Sequence, residues 1–400
     1  DYDEWAALGN PLWSWERVLP AFIRLESDLD FPDAPYHGSG GPMPVKRAMP
    51  PDLHPLSQAF VSACAQLGHP QMLDKNAPRA TGCGPLPRNV VEGVRVNAAL
   101  AYITPHRQRA NLVIESEVTA RRVLFDGSRA TGVEVARAGN IEVFTGDEIV
   151  LSAGAVMSPH LLLISGLGPA DDLRRVGVEP RVDLPGVGTR CRDHPQLFVG
   201  FESSTTLPTN DLSGVVEVAL DATIDGAPVA LMPYLASMAD LVPGSGASPA
   251  ELVIGMLLER AEGAAEISIV SPDPQTPPAI DYHSLEHGAD RRRLDELIGL
   301  GSAIVDSQSM RELGVRRTSP APGVDADEWL NANITTAIHL CSSAPMGPDA
   351  DVMAVVDQQC RVRGVERLRV VDTSVLPTAP SRGPACTAVL IGERAAAFFD

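Results

Sequence analysis

Lysine is almost missing from this chain. Of its 32 Lys and Arg residues only Lys46 and Lys75 are lysine, and 51 acidic residues outnumber them to give a formal net charge of −19. So acidic a chain disfavours nucleic acid and anionic membrane as partners, because both require clustered cations. The six cysteines (Cys64, Cys83, Cys191, Cys341, Cys360 and Cys386) contain no CxxC pair. That argues against a zinc site and against a disulfide framework, and it suits a reducing compartment. No apolar run approaches the ~20 residues of a membrane-spanning helix, which points to a cytoplasmic protein, at most peripheral at a membrane. Also absent is a strand–GxGxxG–helix unit with an acidic residue about twenty positions on, the mark of a dinucleotide site. The nearest glycine cluster, Gly38-Ser39-Gly40-Gly41, follows Pro35-Tyr36-His37 and precedes Pro42, so it reads as a turn.

With 400 residues, 44% of them hydrophobic, the chain can bury large cores, and its length favours two structural domains. Apolar residues at helical spacing predict helices over 15–26, with Ser14 as N-cap, and over 50–68, 88–104, 290–307 and 327–334. Strands are predicted over 111–114, 117–125 and 130–135, the last two joined at Asp126-Gly127. The continuous apolar run over 148–152 suits a buried parallel strand feeding a helix near Ser158. After Pro195 the pattern changes to strands over 198–201, 215–220 and 227–235, with Gly, Pro and Asp turns between them, as in a mixed or antiparallel sheet.

The end of the chain carries the chemistry. An apolar strand from Leu368 to Val371 runs into Asp372-Thr373-Ser374, then a Pro-rich turn, then an apolar helix opening near Thr387. In an α/β fold ligands collect at strand C-ends and helix N-termini, where backbone N–H groups and the positive end of the dipole point outward. Upstream, on its own short β-prone run, lies His339. An imidazole that titrates near neutrality, delivered to such a place, is suited to accept a proton from a substrate.

These residues also resemble a known family. The runs Ala337-Ile338-His339-Leu340-Cys341 to Pro345-Met346-Gly347 and Val370-Val371-Asp372-Thr373-Ser374-Val375-Leu376-Pro377-Thr378 are similar to the C-terminal signature of the glucose–methanol–choline (GMC) flavin oxidoreductases. The block Gly154-Ala155-Val156-Met157-Ser158-Pro159 through Ser165-Gly166-Leu167-Gly168 fits the family's internal signature. The opening Asp1-Tyr2-Asp3-Glu4-Trp5-Ala6, the Asp183-Leu184-Pro185-Gly186-Val187-Gly188 run and Asp193-His194-Pro195 are similar too, so the resemblance spans nearly the whole chain in family order.

The resemblance implies an α/β FAD-binding domain of the doubly wound type, here incomplete, with an inserted mixed-sheet α+β substrate domain. It divides the chain into a cofactor-covering, substrate-side segment (1–87), part of the FAD domain (88–196), the substrate domain (197–336) and a C-terminal FAD-domain part (337–400). It implies oxidation of an alcohol to a carbonyl, with His339 as the base, FAD as hydride acceptor, and oxygen, a quinone or a respiratory carrier taking the electrons onward. Val118, Asp372, Thr373, Cys386 and Thr387 fall where the family contacts FAD. His339 and Cys341 in an HxC pair are too few ligands for a metal. The second His or Asn of the family falls on Ala385, which cannot donate a hydrogen bond; Arg382, His194 or a group outside the chain is left to replace it. His37 and His194 otherwise read as structural. The runs Ser342-Ser343-Ala344 and Ser381-Arg382-Gly383-Pro384-Ala385-Cys386 are similar to the mycofactocin-linked branch. Because the family's GxGxxG unit precedes its DYDxWA run, roughly eighty residues are implied before Asp1, more than one βαβ unit of about thirty. Alone, these residues are expected to bind FAD poorly. A hydroxynitrile lyase on the same scaffold and a truncated, non-catalytic paralogue are the alternatives.

Overall fold

The computed structural model of the protein describes residues 1–78, 81–208, 214–241 and 248–399. Helix α1 (Trp15–Leu25) starts after Ser14, whose hydroxyl makes no capping bond; the Asp3 carboxylate accepts from Trp15 N–H instead, at 2.9 Å. Gly38 and Gly41 follow as the turn the sequence suggests: a Cβ on Gly38 would lie 1.9 Å from the Ile23 carbonyl, so this turn presses on the end of α1. Helix α2 (Pro55–Gln66) buries Leu56, Ala59, Phe60, Ala63 and Cys64 along one stripe, the spacing that makes a helix amphipathic. The short strand β1 (Gly82–Pro85) comes next.

The helix expected over 88–104 is corrected. Val90–Val91 and Val94–Arg95 form a small antiparallel hairpin, with Glu92 at φ 50° and Gly93 at φ 75° between them. Two consecutive positive φ values make the turn whose twist matches a hairpin, and a helix cannot accommodate them. Helical backbone is confined to Ala99–Ile103 and Thr104–His106. Residues 111–114, expected as a strand, belong to no element, and Val113 is exposed. The meander β2 (Thr119–Asp126), β3 (Arg129–Arg137) and β4 (Asn140–Thr145) then leads to β5 (Ile149–Leu151) and helix α3 (Gly154–Ile164).

The second half of the chain is built on a large sheet. Strands β6 (Pro195–Ser203), β7 (Val218–Ile224), β8 (Ala227–Pro233) and β9 (Leu252–Leu258) precede helix α4 (Gly288–Val305), strand β10 (Val315–Ser319), helix α5 (Ala326–Asn333) and the two-residue β11 (Thr335–Thr336). The sheet order is β10-β6-β9-β8-β7-β1, with β11 on the free end of β6. Every pairing in it is antiparallel, which decides between the mixed and antiparallel readings. The chain then returns to the first half: β12 (Leu368–Val370) pairs in parallel with β5, Leu368 opposite Ile149, and α6 (Ala385–Ala396) closes the fold. Helices combined with a parallel strand pair and a large antiparallel sheet make a mixed α/β architecture.

Two large apolar clusters are found among the described residues. One joins Trp5, Trp13, Leu162, Leu167, Val355, Val370 and Leu390; the other joins Leu56, Phe60, Leu197, Phe201, Leu231, Met256 and Leu297. All six cysteines are free, and no helix among the described residues is long and apolar enough to cross a membrane. Phe201, fully buried on β6, fills the sheet-side cluster. Phe201→Ala should cost about 3–5 kcal/mol of stability, read as a lower urea midpoint; a midpoint within error of the parent would mean the cluster does not depend on this ring.

Candidate active site

The site is assembled where residues 191–196 run antiparallel to residues 335–341. Arg192 and Cys341 exchange backbone hydrogen bonds at 2.8 and 2.9 Å, and Pro195 pairs with Thr336. Continued by two residues, the register of the Arg192–Cys341 bridge sets His194 opposite His339. Between that register and the next, the chain slips at Ile338, which takes φ 60° and turns its side chain 85% into solvent. The buried carboxylate of Asp193 holds the turn: Oδ1 accepts the N–H of His194 at 2.7 Å and of His339 at 2.9 Å, while Oδ2 accepts the Thr336 hydroxyl. Burial, outweighing these bonds, pushes its pKa up from the usual carboxylate value.

The two imidazoles meet edge to face, with ring planes at 87° and centroids 5.1 Å apart. Their Nδ1 atoms lie 3.0 Å from each other, and His194 Nε2 lies 3.0 Å from the Pro380 carbonyl. His194 is fully buried, and burial together with the neighbouring imidazole lowers its pKa to about 3. His339 is half-buried; burial lowers its pKa too, and the Asp193 charge opposes this. Its Nε2 makes no hydrogen bond among the described residues. Gly383 lies over that edge of the ring, where a Cβ would come 3.2 Å from Cε1 and 3.5 Å from Nε2. A side chain there would crowd the imidazole, and glycine keeps Nε2 open.

Gly383 leads directly into α6. No protein oxygen accepts from the N–H groups of Ala385, Cys386 or Thr387 among the described residues, and Ala385 and Cys386 are exposed beside the small, exposed Gly383 and Ala388. Open donors, the positive end of the helix dipole and a flat face of small residues fit the carbonyl-bearing edge of the flavin ring that the sequence resemblance implies. Thr387 itself is buried and its hydroxyl is bonded to the Tyr2 hydroxyl at 2.9 Å. Ala385 brings no polar side chain to this face. Of its suggested stand-ins, His194 has both nitrogens engaged behind His339, and Arg382 reaches the Asp221 carboxylate at 2.6 Å and the Lys75 carbonyl at 2.5 Å.

Asp372 caps the short turn Thr373–Val375 at the end of β12, and its carboxylate is taken up inside the protein. It accepts from Gly154 N–H at 2.9 Å, Ser158 Oγ at 2.5 Å, Ser374 N–H at 2.9 Å and the Ser374 hydroxyl. It thereby fastens the start of α3 to the end of β12. The Thr373 carbonyl accepts from Ser342 N–H at 3.1 Å. Val118, half-buried, stands just before β2, on a different part of the fold from His339. The Cys341 thiol is fully buried, and burial pushes its pKa up to about 12. His37 is structural, as the sequence suggests: buried, it is gripped by Glu26 at 2.7 Å and Asp74 at 3.1 Å, while Arg47 neutralises Asp28 at 2.8 Å. Sequence reasoning placed Asp193-His194-Pro195 among the family-like runs and kept His194 as one candidate to stand in for Ala385, but it gave Asp193 no role and did not set His194 against the His339 ring.

Known proteins resemble this chain along nearly its whole length. The two models of the GMC oxidoreductases match residues 1–196 and 261–392. An uncharacterised GMC-type oxidoreductase of Rhodococcus erythropolis is 37% identical over 99% of this chain and 78% of its own length. An oxygen-dependent choline dehydrogenase of Photobacterium profundum is 30% identical, over 99% of this chain and 75% of its own. The crystal structure of pyridoxine 4-oxidase from Mesorbium loti superposes with a TM-score of 0.90 at 27% identity, covering 100% of this chain and 80% of that one.

Asp193→Ala leaves the N–H groups of His194 and His339 and the Thr336 hydroxyl without their acceptor. It should lower stability by at least about 2 kcal/mol, measured as the shift in the urea midpoint. An unshifted midpoint would show that the turn is held by something else.

Proposed function

The chain belongs to the GMC oxidoreductases, FAD-dependent enzymes acting on CH–OH or similar donors, and from that premise we propose that it oxidises a small alcohol to a carbonyl with His339 as general base. The observation that carries the reading is the open Nε2 of His339 beside the donor-rich start of α6. Bound FAD supplies the acceptor for the hydride that leaves the alcohol carbon. The protein's own part is to take the hydroxyl proton at an imidazole nitrogen and to hold the ring still while it does so. The N–H groups of Ala385, Cys386 and Thr387 and the backbone of Thr373 would hold the flavin ring, and Val118 would lie toward the adenine. The choline and pyridoxine in the names of the two relatives are both alcohols, which supports a CH–OH donor here.

The depressed pKa of His339 makes the base usable in mildly acid solution. Below that pKa the imidazole is protonated and cannot accept the proton; above it the base is free. Since burial holds the value under the ordinary 6.5, kcat/KM for the alcohol should be flat from neutrality to about pH 6.5 and fall with a one-proton slope below it. An acid limb centred well above 6.5 would assign the titration to another group.

His339→Ala should lower kcat by about 10²- to 10⁴-fold while the protein still carries its flavin. Under anaerobic conditions the alcohol should bleach the flavin of the parent protein and fail to bleach that of the variant on the same time scale. Unchanged turnover in the variant removes the base assignment, and a flavin that stays oxidised while substrate is consumed makes the protein a lyase.

A further inference from the structure

The hydrogen bonds behind His339 define which of its nitrogens can act. The Pro380 carbonyl can only accept, so His194 Nε2, 3.0 Å away, must carry a hydrogen. His194 is fully buried among neighbours that disfavour a charge, so it is neutral and its Nδ1 is bare. A bare Nδ1 lying 3.0 Å from His339 Nδ1 needs a donor there. His339 must therefore carry its own hydrogen on Nδ1, and when neutral its lone pair is on Nε2, the edge that Gly383 leaves uncovered.

We propose that His194 is a positioning residue for the alcohol oxidation: through the Nδ1–Nδ1 hydrogen bond it holds His339 as the Nδ1–H tautomer, so that Nε2 alone receives the substrate proton. The inference rests on His339 being the base. In the step, the alcohol O–H bond breaks, an N–H bond forms at His339 Nε2, and the ring becomes an imidazolium that keeps its Nδ1–H bond to His194. Without His194, the half-buried imidazole is free to choose its tautomer and to rotate, and part of the population presents a hydrogen where a lone pair is needed.

His194 does a second thing with the same two bonds. His339 follows β11, whereas Pro380 belongs to the loop that carries Gly383 and opens α6. One buried ring therefore spans the two loops, and the distance between the base and the helix N-terminus is set by an imidazole of invariant width. This is how a carboxylate orients the histidine of a catalytic triad, with one difference: a neutral partner orients the base without raising its pKa. The lowered pKa of His339 is consistent with that.

The test uses the flavin-loaded protein, with imidazole 15N resonances assigned by their loss in His339→Ala and His194→Ala. In the parent, His339 should show a protonated Nδ1 and a bare Nε2 above its pKa. In His194→Leu, which fills the space but accepts nothing, the His339 signals should move toward a mixture of tautomers. With that variant kcat should fall by between about 10- and 10⁴-fold with little change in KM. His194→Asn returns an acceptor near the Nδ1 position and should recover most of the rate and the single tautomer; His194→Gln, whose reach matches Nε2, should not. Should the leucine variant fail to fold, the Asn-to-Gln ratio decides: at least tenfold in favour of Asn supports the proposal, and equal rates overturn it. A leucine variant that keeps the Nδ1–H tautomer and the parent rate also overturns it. Loss of rate on His194→Leu together with an active His339→Ala would instead sink the base assignment, so the two failures are told apart.

Discussion

A neutral imidazole can make two hydrogen bonds, one given and one received, and in this protein the fully buried His194 makes both. It gives to Pro380 and receives from His339, and the Asp193 carboxylate next to it binds the backbone of both histidines. Everything that makes the site more than a loop histidine follows from this arrangement. In the proposed reading His339 gains a defined tautomer, a defined tilt and a fixed separation from the start of α6. Breaking it would leave buried polar groups without partners, which is costlier than never having buried them.

The location of that contact explains the architecture around it. Residues 191–196 lead into the antiparallel sheet through β6, while residues 340–347 pack with β12 and α3 in the other apolar cluster. The site lies at the seam, where backbone from each cluster supplies one side of the pairing. Elements inside either cluster are held by apolar packing that tolerates small changes; the seam is held by directional bonds that do not. Asp372 makes a similar clasp at the end of β12: two of the four donors on its carboxylate, Gly154 N–H and Ser158 Oγ, come from α3. A residue that sequence reasoning assigns to cofactor contact thus has its carboxylate occupied by the fold itself.

Much was legible locally. Leu368, Val370 and the helix from Ala385 follow from apolar runs and a Pro-rich break, and α2 follows from a stripe at helical spacing. The error at 88–104 is instructive. Val90, Val91, Val94 and Val96 satisfy a helical period and a hairpin equally well, and the outcome turned on Glu92 and Gly93 adopting positive φ. Glycine permits that conformation at no cost, whereas glutamate gives little warning of it.

The sequence by itself determined the family, the apolar strand that ends at Asp372 and the apolar helix that opens near Thr387. Each is written in short stretches, because chain neighbours share a backbone path and their side-chain types report on it. Only the tertiary structure decided that His194 stands behind His339, that Arg382 turns to Asp221 and that Asp372 faces inward. Those are contacts between residues separated by 145, 161 and 218 positions. No local period encodes them, since they depend on the register of paired segments and on which polar groups end up away from water.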